Sequence, residues 1–470
     1  MFKLFAKYSL GGVLSALISL FSTPIITALI IPVEMGKASM YTLAFNFVLQ
    51  IVLLGTDQSY VREYYRKTNN SERKKLFMNC MTPGLICTFF FLILFYQFRE
   101  FISKMILNEH SDLIVVLLGI SVFLGVLERF VMLTLRLEKK AISFSFFRFL
   151  AAVVSFFVTY LYAIYIDKNF YAIVYGNIAG IFFTVILAII VTSANWKFGL
   201  ISWKKIKPLL RYGIPFVPAF LASWIFEGVD KIILRNVASF EELGLFSAAF
   251  KFVYILNILQ LAFTSFWAPM AMELYESNSP TTRNRFKEVL SIGSAFLFIG
   301  GLILISSTDI IMYLFDKQYD DSAQIMPFLL LIPIMYTLSE ITVGGINFKN
   351  KTYWHLVIAI LSGTINFLLC FLLVPIYGAK GAAMSTGFSY ILFFILRTII
   401  SMNYFSFEID IFRLLSAVVL FVSICWLNTF LVFEKDVLLY INFLGVLSVV
   451  ALYFKVIKKA VFSNELKELI

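Results

Sequence analysis

Fourteen apolar runs of bilayer length recur along this chain between short polar connections. They lie at 8–30, 38–60, 76–96, 113–135, 142–166, 170–192, 212–236, 243–270, 288–307, 325–347, 354–376, 380–402, 412–433 and 437–455. About 20 helical residues, each rising about 1.5 Å, match a hydrocarbon core of about 30 Å. Hydrocarbon offers no water to backbone N–H and C=O groups, so only helices and closed barrels cross it. The runs are continuous and do not alternate with period two, which excludes barrel strands. The sequence thus specifies an all-α integral membrane protein with fourteen transmembrane helices. Composition agrees: only 14% of the residues are charged, where a soluble domain carries about a quarter.

An even number of spans returns the chain to its starting side. Lys and Arg gather in the N-terminal segment, the even-numbered connections and the C-terminal segment, with Arg62, Arg66, Lys67, Arg73, Lys74 and Lys75 in one connection. The positive-inside rule then predicts that both termini are cytoplasmic. The opposite connections lean acidic, with Glu241, Glu242, Asp316, Asp320 and Asp321. The net charge of +11 is spread over short loops, so it does not mark a nucleic-acid partner. Lys3 and Lys7 before the first run resemble a signal peptide, but the run is too long and has no small-residue cleavage site, which predicts a retained helix. Cys80, Cys87, Cys370 and Cys425 fall in apolar runs without CxxC spacing and are expected to be free thiols. With His110 and His355 as the only histidines, no metal site and no cofactor are expected.

The chain also repeats itself. One constant offset sets Lys140 on Lys351, Phe156 on Phe367, Ala172 on Ala383, Gly176 on Gly387 and Phe182–Phe183 on Phe393–Phe394. A slightly shorter one sets Glu34 on Glu242 and Gly36 on Gly244, and near the start Lys7–Tyr8 falls on Arg211–Tyr212 and Ser19 on Ser223. The expected organisation is two pseudo-symmetric six-helix bundles, 1–194 and 212–403, joined by a polar, lysine-rich cytoplasmic linker at 195–211 and followed by two additional helices and a tail at 404–470. Six is even, so both halves enter the membrane from the same side, with an axis along the membrane normal and a cavity that opens to one side at a time.

Three stretches carry a family likeness: YGIPFVPAFLASWIFEGVDK from Tyr212, GLFSAAFKFVYILNILQLAFTSFWAP from Gly244 and VPIYGAKGAAMSTGFSYILFF from Val374. Together with KYSLGGVLSALISLFSTPIITALI from Lys7 and the six-plus-six-plus-two layout, they resemble the Wzx-type polysaccharide flippases of the multidrug/oligosaccharidyl-lipid/polysaccharide exporter superfamily. The resemblance implies a multi-pass protein of the inner (cytoplasmic) membrane that moves undecaprenyl-diphosphate-linked oligosaccharide repeat units to the outer leaflet, for O-antigen or capsule. It also implies the lipid bilayer and other polysaccharide-assembly proteins as partners.

Ionisable residues inside the spans point the same way. Each costs about 2.5–3.5 kcal/mol on insertion scales, so those retained face a polar cavity or a partner. Arg129, Arg148, Lys251 and Arg397 are the candidates for binding a diphosphate, since cations in a dry-walled cavity supply charge-assisted hydrogen bonds. Glu227, Asp57, Glu340 and Asp230 are the candidates for coupling to a proton or sodium gradient, because desolvation raises a carboxylate pKa towards the range where protons exchange. Pairing between packed helices, or snorkelling of Arg148 and Arg397, is the alternative role for these charges. Pro24, Pro215 and Pro218 are expected to bend their helices, and the small-residue runs GAKGAAMSTG (378–387) and SLGG at Ser9 to permit close helix contact. Trp224 and Trp267 suit either a sugar or core packing.

No Walker A loop, HExxH or GxSxG occurs, and no polar segment is long enough to hold a nucleotide, so the chain reads as a transporter and not an enzyme. The alternative is a cation-coupled multidrug antiporter of the same superfamily, which would ordinarily have twelve helices and an acidic cavity.

Overall fold

A computed structural model describes the backbone of residues 2–192, 201–277, 279–431 and 434–462. Among the described residues all regular structure is helical, and the chain divides into two compact units, Met1–Ile232 and Ile233–Ile470. Among the described residues eleven helices are long and apolar enough to cross a membrane, or thirteen if each of two bent pairs is one span.

The first unit begins with α1 (Phe2–Leu29), α2 (Pro32–Val52), α3 (Thr56–Tyr64), α4 (Asn70–Gln97) and α5 (Arg99–Leu107). It continues with α6 (Asp112–Leu137), α7 (Ala141–Tyr165), α8 (Phe170–Thr192), α9 (Trp203–Gly213) and most of α10 (Val217–Val237). Its most consequential feature is the break between α2 and α3. Leu54 (φ 52°) and Gly55 (φ 66°) both adopt the left-handed conformation, and the two helices meet at 57°. A leucine at positive φ is unusual, and Gly55 shows what holds it there. A Cβ on Gly55 would stand 2.1 Å from the Gly213 carbonyl oxygen, so the backbones of the break and of α9 touch directly.

Within the 195–211 stretch, the part from 201 onwards lies among the described residues. From Trp203 it forms α9, which passes through a 3-10 turn at Ile214–Phe216 into α10. Ile206 (1% exposed) and Leu209 (8%) face inward while Lys204, Lys205 and Lys207 face out, the single apolar stripe of an amphipathic helix. Pro215 lies in the 3-10 turn, where its missing N–H breaks the helical ladder. Gly11 packs α1 onto α7: an added Cβ would sit 2.4 Å from Ser145 Cα.

The second unit runs from the end of α10 through α11 (Phe240–Glu276), α12 (Thr282–Ser306), α13 (Thr308–Met312), α14 (Ser322–Leu329), α15 (Leu331–Thr342), α16 (Gly344–Phe348), α17 (Tyr353–Met402), α18 (Ile411–Phe430) and α19 (Lys435–Phe462). Its core is densest at α14 and α15, where Phe328, Leu329, Leu330, Leu331, Ile334 and Met335 are fully buried. The 50 residues of α17 would reach about 75 Å if straight. They turn instead at Gly378, whose φ of 54° and ψ of −132° leave the helical region. The Ala379 N–H, freed by the turn, donates to Glu242 Oε2 at 2.7 Å. In the first unit the Phe170 N–H, opening α8, donates to Glu34 Oε2 at 2.8 Å. Glu34 and Glu242 are the pair that the sequence offset superposes, so each unit uses the same glutamate to satisfy a helix start. Gly387, later in the same small-residue run, approaches the Phe328 carbonyl so closely that a Cβ would sit 2.8 Å away.

Candidate functional site

In each unit an intramembrane carboxylate pairs with an arginine of a neighbouring helix. In the first, the break at Leu54–Gly55 begins α3 inside a broken span, and Asp57 sits in its first turn, where the positive end of the helix dipole favours an anion. Arg129 of α6 donates twice to Asp57 Oδ2, from Nη2 at 2.7 Å and Nε at 3.0 Å, and Gln58 Nε2 adds a bond at 3.1 Å. Asp57 is 2% exposed while the Arg129 side chain is 45% exposed. The carboxylate is thus enclosed and the guanidinium keeps an open edge. Asp57 Oδ1 is buried with no hydrogen-bond partner among the described residues.

The rest of α3 fixes this geometry. Tyr60, 1% exposed, shares a 3.0 Å hydrogen bond with Thr134 of α6 and packs edge-on against Phe77 and Phe130. Ser59 Oγ donates to the Leu209 carbonyl of α9 at 2.7 Å. α3 is therefore bonded to a neighbour on each side of its pair-bearing turn.

In the second unit, Arg397 on the second arm of α17 donates from Nη1 to Ser339 Oγ and Glu340 Oε1 of α15, both at 2.7 Å. Its guanidinium also lies over the Phe393 and Tyr336 rings, 5.0 and 5.5 Å from their centroids. Arg397 is 6% exposed, so this pair is enclosed on both sides. The Thr342–Thr398 hydrogen bond at 2.8 Å and the Gly345 N–H to Ser401 Oγ bond at 2.8 Å knit the same two helices. Ser339, which completes the Arg397 site, was not singled out by sequence; its signal was a hydroxyl next to an intramembrane glutamate.

The other predicted residues are carried by α7, α10 and α11. Arg148 on α7 is exposed, with its guanidinium 5.6 Å from the Phe144 ring centroid. Lys251 is half-buried on α11, two residues before that helix bends by 47° between Val253 and Leu256. Asp230 is buried in α10 and accepts the Lys231 N–H at 2.8 Å. Glu227 lies on α10, but its side chain is outside the described residues. Trp224 packs at 4.6 Å from Phe47 and donates to the Leu43 carbonyl at 3.2 Å, while Trp267 is buried against Phe263 and Phe286.

Comparison with known proteins follows the same lines. The family described as polysaccharide biosynthesis protein matches residues 25–324. Among solved structures the chain resembles the lipid II flippase MurJ in an inward closed conformation, with a TM-score of 0.72 at 16% identity over 95% of this chain and 98% of that one. It also resembles an inward-facing multidrug resistance MATE family transporter of the MOP superfamily, with a TM-score of 0.63 at 12% identity over 86% and 95% of the two chains. A curated relative, the uncharacterized membrane protein MJ1068 of Methanocaldococcus jannaschii, is 24% identical over 208 residues. That alignment spans 42% of this chain and 40% of the relative's length.

Proposed function

The chain belongs to the polysaccharide biosynthesis protein family, and from that premise we propose that it is a flippase for undecaprenyl-diphosphate-linked oligosaccharide repeat units. It carries them from the cytoplasmic to the outer leaflet of the inner (cytoplasmic) membrane, for O-antigen or capsule assembly, by alternating access and without covalent chemistry. The observation that carries the reading is the Asp57–Arg129 pair. A guanidinium in the membrane, oriented by an enclosed carboxylate and still 45% exposed, presents donors to phosphate oxygens in the planar geometry they accept. MurJ, which shares this fold, is a lipid II flippase, and that likeness supports a lipid as the cargo.

In this reading α17, broken at Gly378, contributes two spans, which with the two bent pairs makes fourteen, and both termini are cytoplasmic. The bundles are 1–194 and 212–403, with 195–211 linking them and 404–470 adding two helices. Arg129 and Arg148, the exposed cations, meet the diphosphate, and Lys251 meets it elsewhere along the path. Arg397, enclosed with Glu340, holds its helices together. Asp57, Glu227, Glu340 and Asp230 are the carboxylates through which a proton or sodium gradient would couple. Polysaccharide-assembly proteins are the expected partners.

The deciding experiment is deletion with complementation, scored by lipid-linked oligosaccharide on the inner leaflet. Accumulation in the deletion strain that is reversed by this chain supports the flippase. Unchanged lipid-linked oligosaccharide together with drug sensitivity would instead assign a multidrug antiporter, the reading that the likeness to a multidrug resistance MATE family transporter supports. Against that second reading stands the polarity of the pair, since an extruded organic cation needs an accessible carboxylate, and Asp57 is closed off.

Coupling is tested separately. Glu227→Gln is expected to insert and fold as wild type but to reduce flipping in reconstituted vesicles at least tenfold. Wild-type flipping by that variant removes Glu227 from the mechanism.

A further inference from the structure

The first unit contains a second charged site, whose lining includes neither Asp57 nor Arg129. α3, the turn after it, α4 and α9 enclose a cavity of about 480 Å³. Five cations line it, Arg62, Lys67, Lys75, Lys204 and Lys205, against two carboxylates, Glu63 and Glu72. Glu63 is engaged by Arg66 at 2.8 Å, and Arg62 lies over the Tyr212 ring at 4.1 Å from its centroid. Lys67, Lys75, Lys204 and Lys205 form no ion pair among the described residues. The two carboxylates offset two of the five positive charges on this lining, so an excess of three remains. The positive-inside bias accounts for lysines on one side of the membrane but not for their convergence on one cavity, where like charges repel. An anion supplies the reason for that convergence.

The walls are bonded together and are not an accident of loose loops. The Ser202 N–H donates to Asn79 Oδ1 at 2.8 Å, and Asn79 Nδ2 in turn donates to the Lys75 carbonyl at 2.6 Å. Asn79 is 1% exposed, so a buried amide ties the start of α9 to the helix that carries Lys75. The Ser59–Leu209 bond and the Gly55–Gly213 contact tie the rest of α9 to α3.

Position narrows the ligand. Ile201 (48% exposed) and Trp203 (67%) stand uncovered at the start of α9, beside Lys204 and Lys205. An amphipathic helix with an aromatic residue and lysines at one end lies at the membrane surface. The cavity is also far larger than one inorganic phosphate, and falls in the range of about 300–1,000 Å³ typical of organic ligand sites.

We propose that the cavity between α3, α4 and α9 binds the phosphate-bearing headgroup of a lipid at the membrane surface. Two lipids offer this chemistry, a polyprenyl diphosphate and an anionic phospholipid such as phosphatidylglycerol. The first would make the cavity a waiting station for the cargo, and only that assignment rests on the flippase reading.

The test uses full-length protein in phosphatidylcholine nanodiscs. Retention of undecaprenyl diphosphate and of phosphatidylglycerol is measured by native mass spectrometry, and binding of sodium diphosphate by calorimetry. Wild type is expected to retain one of the two lipids. Lys204→Glu/Lys205→Glu, both exposed side chains, is expected to weaken retention at least tenfold with an unchanged melting temperature. Lys207→Glu on the same helix, outside the cavity lining, is expected to leave retention as it is. Preference for undecaprenyl diphosphate assigns the cargo and preference for phosphatidylglycerol a resident phospholipid; either supports the site. Equal retention by wild type and the double variant overturns it, as does binding of sodium diphosphate with no lipid retained. A protein that fails to flip but shows lysine-dependent retention loses the flippase reading and keeps the site. Flipping with retention indifferent to these lysines does the reverse.

Discussion

Arg129→Leu is expected to abolish flipping and to cost about 3–5 kcal/mol of stability, the usual penalty for stranding one member of a buried pair. Asp57 is 2% exposed and takes all its donors on Oδ2, two from Arg129 and one from Gln58, while Oδ1 has none among the described residues. Without the guanidinium the carboxylate is left in a low-dielectric site with a single neutral donor, and it must either stay charged at high cost or take up a proton. Asp57→Asn/Arg129→Gln separates structure from function. The double variant carries no buried charge, so its stability, read by thermal melting in detergent, should return to within about 1 kcal/mol of wild type. Flipping should stay lost, because the guanidinium that Asp57 orients is gone and Arg148 alone does not replace it. Recovery of transport in the double variant would reduce the pair to packing.

The two pairs also mark the limit of what the sequence yields. Asp57, Arg129, Glu340 and Arg397 stand out in it because charge inside an apolar run is costly wherever it lies. Their partners do not, since Arg129 finds Asp57 on another helix only through the rotation of α6 and the bend before α3. The constant offset also sets Arg129 on Glu340, opposite charges in equivalent places, and each of the two finds its counter-charge within its own unit. The apolar runs locate the long helices well, because hydrophobic length is a property of a single segment. Short helices are less legible. α9 looks like part of a polar connection in the sequence because its stripe, Ile206, Leu209 and Leu210, is about one turn long and is interrupted by lysines and Pro208. The same applies to α5, whose nine residues fall between two apolar runs. The turn of α17 at Gly378 lay in a run that the sequence marked for close packing. Gly387 does pack that way, but Gly378 serves the backbone conformation, and glycine looks identical in both roles.

Gly55→Ala tests whether the break before Asp57 is held by the chain's own backbone. A Cβ there would stand 2.1 Å from the Gly213 oxygen and 2.7 Å from its carbonyl carbon. Both are backbone atoms, so no side chain can rotate out of the way. The left-handed conformation adds about 1–3 kcal/mol for an L residue and the overpacking about 1–3 more, so a loss of about 2–6 kcal/mol is expected in thermal melting. Gly55→Asn divides the two causes. Asparagine tolerates positive φ but still carries a Cβ, so it should fail nearly as badly as alanine if the clash dominates and recover most of the loss if conformation does. Gly300→Ala is the control, since a Cβ there meets nothing within 4 Å and alanine favours the helix. The Gly55 variants reach further than stability, because Asp57 lies two residues beyond the break and α9 rests on it. Moving α9 off α3 should therefore misplace the carboxylate that orients Arg129 and open the lysine-lined cavity in one step. Flipping and lipid retention are expected to fall together in whatever fraction of Gly55→Ala protein still folds. Folded Gly55→Ala protein with both activities intact would mean that the contact with α9 does not position the pair.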